Sequence, residues 1–164
     1  MFKLNRDQAA QFDNRGSFIN EAGKYVGAFT RVEWIDNPKN GSTGLGITFV
    51  SNEKQEANFY INLSYQHGTG NESGNKLVNA MLACFRLEES GGVAQTKVQK
   101  YNADTKKTEE SLVPCFIHLM NKPIGLIIQM KFEKDSTSEH PKPTIYSVFE
   151  ASTELLASEI VKGI

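Results

Sequence analysis

The sequence predicts a mainly β domain: a five-stranded OB-type barrel with an α-helix between strands 3 and 4. Three observations point there. Apolar and polar residues alternate along Leu45–Phe49 and Phe59–Leu63, the period of a strand with one buried face. The period then changes, with Leu77, Val78, Met81, Leu82 and Phe85 at helical spacing. Alternation returns along Ile124, Leu126, Ile128, Met130 and Phe132, followed by Ile145–Phe149. An α+β sandwich with one covering helix fits the same order of elements.

Residues 1–20 are polar apart from the start and from Phe12, Phe18 and Ile19, and read as an N-terminal arm. Residues 21–164 form a single OB-like domain. Its first strand spans Lys24–Ile35, where Tyr25, Gly27 and Phe29 share one face and Val32 and Trp34 fall on the other. A bulge near Thr30 and Arg31 returns all five to one side, and bends the strand as a barrel requires. Asp36–Ser42 contains Pro38 and Gly41 and reads as a turn. The second and third strands follow as a meander, with Phe59, Ile61 and Leu63 inward and Tyr60 and Asn62 outward.

Beyond the glycine-rich loop His67–Glu72, Asn71 or Ser73 caps the helix, and Ser90-Gly91-Gly92 closes it. Residues 93–110 are polar and lysine-rich, with Asn102–Lys106 as a hairpin tip. They read as a β-hairpin insert. An apolar segment, Cys115–Met120, precedes the turn Asn121-Lys122-Pro123 and the last strand pair, whose connection is the polar loop Asp135–Pro143. Leu155, Leu156, Glu159 and Ile160 mark a short C-terminal helix.

Composition narrows the function classes. With 39% hydrophobic and 23% charged residues, the chain has the make-up of a globular domain. No apolar run reaches the roughly 20 residues of a membrane span, so no membrane partner is expected. The start lacks the basic-then-apolar pattern of a signal peptide, so the expected location is the cytoplasm. The net charge of −1 gives no global field toward nucleic acid. Cys84 and Cys115 read as buried free thiols.

Signatures of catalysis are missing. The chain has no Walker loop, G-x-S-x-G elbow, H-E-x-x-H or paired C-x-x-C. Cys115 and His118 are three apart, and in an extended segment such residues point to opposite faces, so they do not pair as metal ligands. The carboxylates scattered over loops read as solvated. The chain is therefore expected not to be an enzyme.

What remains is the outward face of the sheet. Binding single strands without sequence preference needs cations that track phosphates and rings on which bases stack. The candidate cations are Lys24, Arg31, Lys39, Lys54, Lys122, Lys131 and Lys134. The candidate rings are Tyr60, with Phe59 and Ile61 already inward, then Tyr65, Tyr146 and Trp34.

The sequence also resembles a known family. Glu21-Ala22-Gly23-Lys24-Tyr25-Val26-Gly27 is similar to the "AGxY" opening of small bacteriophage single-stranded DNA-binding proteins found in recombination and replication cassettes. Residues 39–49, Tyr60–Tyr65 and the helix at Lys76–Leu82 continue the likeness. Leu119-Met120-Asn121-Lys122-Pro123-Ile124-Gly125 resembles that family's "LxGKPxG" start of the fourth strand. The matches run in order through residues 21–152, and the insert at 93–110 has no counterpart in the generic barrel. The resemblance implies an OB-type fold and single-strand binding in the cytoplasm of an infected cell, with no cofactor. The expected partners are single-stranded DNA, single-stranded RNA on the same chemistry, replication or recombination proteins of phage or host, and further copies of the chain. The rival expectation is a structural or protein-interaction β-sandwich module of a phage.

Overall fold

The computed structural model describes residues 1–6, 9, 18–37, 39–65, 68–102, 104–132 and 141–163. Phe12, Pro38, His67, Lys134 and most of the connection at 135–143 lie outside the described residues.

Seven antiparallel strands form one sheet: β1 (Gly23–Asp36), β2 (Thr43–Ser51), β3 (Glu56–Ser64), β4 (Ala94–Asn102), β5 (Lys107–Cys115), β6 (Pro123–Lys131) and β7 (Lys142–Phe149). Helix α1 (Glu72–Cys84) lies between β3 and β4 in the chain, and α2 (Ala157–Val161) follows β7. β1 organises the sheet. One of its edges pairs with β2 from Gly27 to Asp36. Its other edge is divided, Gly23–Ala28 pairing with β6 and Glu33 with Cys115 of β5.

The sheet therefore forks at β1, one arm running through β6 to β7 and the other through β5 to β4. A 3₁₀ turn at Ile117–Leu119 fills the fork. Backbone bonds from Phe116 N to Val32 O at 2.9 Å and from Asn121 N to Phe29 O at 2.8 Å stitch it to β1.

Phe29 pairs with Phe49 and Arg31 with Thr48, so Thr30 is an extra residue on β1. This shift occupies the place that the side-chain pattern predicts, and it lets Phe29 and Val32 share the core. The core also holds Ile47, Phe49, Ile124, Leu126 and Val148. Phe29 stands edge-on to Phe49 and Phe85, with centroids 6.1 and 6.0 Å away, a geometry that suits aromatic quadrupoles. Ile19 is buried in the same core, and its N–H donates to Glu56 O at 2.8 Å.

Three expectations change. The five expected strands and the expected hairpin join in one seven-stranded sheet, which does not close into a barrel: no hydrogen-bonded ladder joins β3 to β7 among the described residues. Helix α1 packs against both strands across that gap. The insert is longer than 93–110, because β5 continues to Cys115, where it reaches β1. The helix ends at Cys84 rather than at the glycines. Arg86 takes φ 59° and Leu87 N donates to Leu82 O at 2.9 Å, so an arginine fills the left-handed closing position usually held by glycine. Its guanidinium grips Glu150 at 2.7 and 3.1 Å, which anchors the unusual residue there.

Asn71 caps α1, its side chain accepting from Gly74 N at 3.3 Å. The helix start presses so closely on β3 that a Cβ at Gly74 would collide with the Asn62 carbonyl oxygen. None of the described helices is long and apolar enough to cross a membrane.

Candidate functional site

The gap between β3 and β7 opens into a cleft of about 1250 Å³, bordered by α1 and continuing over the outward face of β1–β3. Alternation along the strands decides what lines it. On β3, Phe59 and Ile61 are buried, so Tyr60 between them points away from the core and is 54% exposed. On β7, the register shift opposite Ile127 and Ile128 leaves Tyr146 without a partner on β6. A bulge re-aims its side chain, and Tyr146 is 66% exposed. Both rings line the cleft.

Five cations line it too: Arg31, Lys76, Lys100, Lys131 and Lys142. Glu56 is the lining carboxylate, while Glu33 engages Arg31 and Lys100 and Glu72 engages Lys76. Among the described residues, the lining cations outnumber these carboxylates, in a chain of net charge −1.

Of the residues predicted from the sequence, Arg31, Tyr60, Lys131 and Tyr146 meet in the cleft, Lys134 lies outside the described residues, and the other six do not line it. Lys24 lies 3.7 Å from Glu154 and 5.1 Å from the centre of the Phe149 ring. Trp34 packs edge-on against Phe116 at 6.1 Å. Lys39 and Lys54 are exposed in the turns flanking β2, and Tyr65 is exposed beyond β3. Lys122 is half-buried before β6.

Arg31 is not the open surface cation that its outward position suggests. It is 8% exposed. Its Nε donates to Thr48 Oγ1 at 3.0 Å and its Nη1 to Glu33 Oε1 at 2.7 Å. Thr48 Oγ1 in turn donates to Asn58 Oδ1 at 2.7 Å. The cause is the β4–β5 hairpin, which reaches back so that Lys100 Nζ sits 3.0 Å from Glu33. A buried charge is tolerable when paired and hydrogen-bonded, and this one has both.

Lys76, Lys100 and Lys142 escaped the sequence reading. Lys100 carries a usable signal, since it shares a strand face with Val98, the buried residue of β4. Reading residues 93–110 as an insert apart from the sheet hides that signal. The pairing of β5 with β1 is what brings the hairpin over the site.

Two exposed tyrosine rings, cations and amide groups line the cleft. Cys84 is buried, and burial pushes its thiol up to about 11, so it is a poor nucleophile at neutral pH. Burial also raises Cys115. Among the described residues, no group of three or more His, Cys, Asp or Glu could hold a metal ion. Comparison with models of known protein families found no match to this chain, and comparison with curated proteins found none either.

Proposed function

We propose that the chain is a sequence-tolerant single-stranded DNA-binding protein of phage replication or recombination, and that the strand lies in the cleft between β3 and β7. One observation carries this reading: two exposed tyrosines share a single cleft with five cations. Base–aromatic stacking contributes about 1–3 kcal/mol per base, and cations contribute through the phosphates. Tyr60 and Tyr146 supply the first element, and Lys76, Lys131 and Lys142 on the rim supply the second.

An OB-type architecture belongs to the same proposal. The path β3-β2-β1-β6-β7, with α1 inserted between β3 and β6, matches the chain order of that barrel. Here α1 bridges the seam in place of a ladder. The likeness of residues 21–152 to phage single-strand binders supports the biological setting, the host-cell cytoplasm.

Fluorescence anisotropy with labelled oligo-dT tests the reading. Binding at low salt, weakening as salt rises, is the expected result. Alanine at Tyr60 or Tyr146 is expected to weaken it further. A parallel oligo-U titration separates DNA from RNA. No binding at low salt overturns the reading, and a closed ring in a solution mass measurement would then favour a structural β module.

A further inference from the structure

Beneath Tyr60 the second strand is built from glycine. A Cβ at Gly44 would fall 2.5 Å from Tyr60 Oη and 2.6 Å from its Cζ. A Cβ at Gly46 would fall 2.7 Å from Arg31 Nη1 and 2.8 Å from Ile35 Cδ1. Side chains at both positions would be displaced by what already lies there. The phenol ring therefore crosses the bare backbone of Gly44, while the guanidinium crosses that of Gly46. Gly44 and Gly46 are two residues apart and share one face of β2, so the phenol and the guanidinium above them lie side by side on that face.

The guanidinium is oriented as well as placed. Thr48 takes the Nε hydrogen and Glu33 takes one hydrogen of Nη1. Three N–H groups remain, on Nη1 and Nη2, with no partner among the described residues, and Arg31 lines the cleft. They present only donors. One hydrogen from each terminal nitrogen, taken together, would match two adjacent acceptors on one base edge.

Guanine carries such a pair at N7 and O6, and cytosine carries one at N3 and O2. Adenine sets an amino donor beside each of its ring acceptors on the exposed edges. Thymine sets an N–H between its two carbonyls.

We infer that Tyr60, Arg31 and the Gly44–Gly46 floor form a base-reading subsite selective for a base with two adjacent acceptors, guanine or cytosine. This rests on the single-strand reading of the cleft and deepens it: sequence tolerance along most of the strand gives way to preference at one position. Glu33 and Thr48 act as positioning residues, because they fix which edge of the guanidinium is left open.

The test keeps the protein unaltered and varies the ligand. Labelled dT oligonucleotides of one length carry a single central dG, dC, dA or 7-deaza-dG, and their affinities are compared with that of all-dT. The dG and dC oligomers are expected to bind about fivefold tighter, the low end for one bidentate contact, and dA is expected to match dT. The 7-deaza-dG oligomer lacks N7 and separates the two sources: it should lose the dG gain, leaving the dC gain untouched.

In R31K the charge stays but the forked donor pair is lost, so the ratio of dG to dT affinity is expected to fall to one. Equal affinities for all oligomers, with dT binding intact, overturn the subsite alone. Failure to bind dT at all overturns the cleft reading and the subsite together.

Discussion

The two faces of β1–β3 are built from the same three strands and solve opposite problems. On the inward face, Phe29, Ile47, Phe49 and Phe59 exclude water by packing ring and branched side chains together. On the outward face, Arg31, Glu33, Thr48 and Asn58 form a chain of hydrogen bonds across neighbouring strands, with Tyr60 beside it on a floor of glycine. The inward face holds the fold together. The outward face holds charges in place beneath a hairpin, and it is stable only while each of those charges keeps its partner. Damage to the inward face should therefore cost stability alone, whereas damage to the outward face separates into cases.

The largest effect is expected from F29A. The ring is fully buried and edge-on to two others, so its removal should cost about 3–5 kcal/mol in a denaturant titration. A loss below about 1 kcal/mol would mean that the inward face is not a close-packed core.

E33A comes next. It strands the buried Arg31 and releases Lys100, and breaking such a pair costs about 3 kcal/mol. Replacing both partners, R31M with E33L, should recover most of that stability, because the uncompensated charge is gone. No recovery would show that the pair contributes more than mutual neutralisation. F85A tests the edge of the core: the ring is half-buried against Phe29, and its loss should cost about 2 kcal/mol, less than a fully buried ring.

The inward face was legible in the sequence because burial follows period. Phe59, Ile61, Ile124, Leu126 and Ile128 all sit where alternation puts them, and the Thr30 bulge could be placed from Tyr25, Phe29, Val32 and Trp34. The outward face was legible only as outward. That Tyr60 is exposed follows from its neighbours. That Arg31 is buried follows from β5 meeting β1 at a single pair, Glu33 with Cys115, a contact across more than eighty residues that no local pattern encodes. The end of α1 was misplaced for a related reason. Glycines at 91 and 92 looked like the stop, but an arginine closes the helix by gripping Glu150 from beyond β7. The separation between β3 and β7 depends on how the whole sheet curls, which strand patterns do not record.

Substitutions at the exposed rings should behave differently from those in the core. Y60A and Y146A remove rings that are more than half exposed, so stability should move by less than about 0.5 kcal/mol. Oligo-dT affinity should fall by about 1–3 kcal/mol for each ring. The pair of readouts is what matters. A Tyr60 variant that melts early would place the ring in the fold rather than at a binding surface, and the contrast between the faces would then fail at its central residue.

The smallest effect lies away from both faces, at the Arg86–Glu150 clasp. Hydrogen bonds from Arg86 and then Thr153 hold the Glu150 carboxyl well below its ordinary 4.5, at about 2. A carboxylate whose pKa is lower when folded binds protons more readily when unfolded, so it stabilises the fold above the unfolded value and loses that contribution as pH falls through the folded one. The window is therefore about pH 4.5 down to about 2. Arg86 is open to solvent although Glu150 is largely covered, and screening on the open side weakens the ion pair, so the change is expected to be small and to shrink with added salt. Thermal midpoints of the native chain and E150Q, followed across that window, should differ by a constant amount above pH 5 and converge toward pH 2. Parallel curves would show that the pair orients the chain end without contributing pH-dependent stability. Arg86 would then keep its left-handed backbone through the Leu87-to-Leu82 hydrogen bond alone.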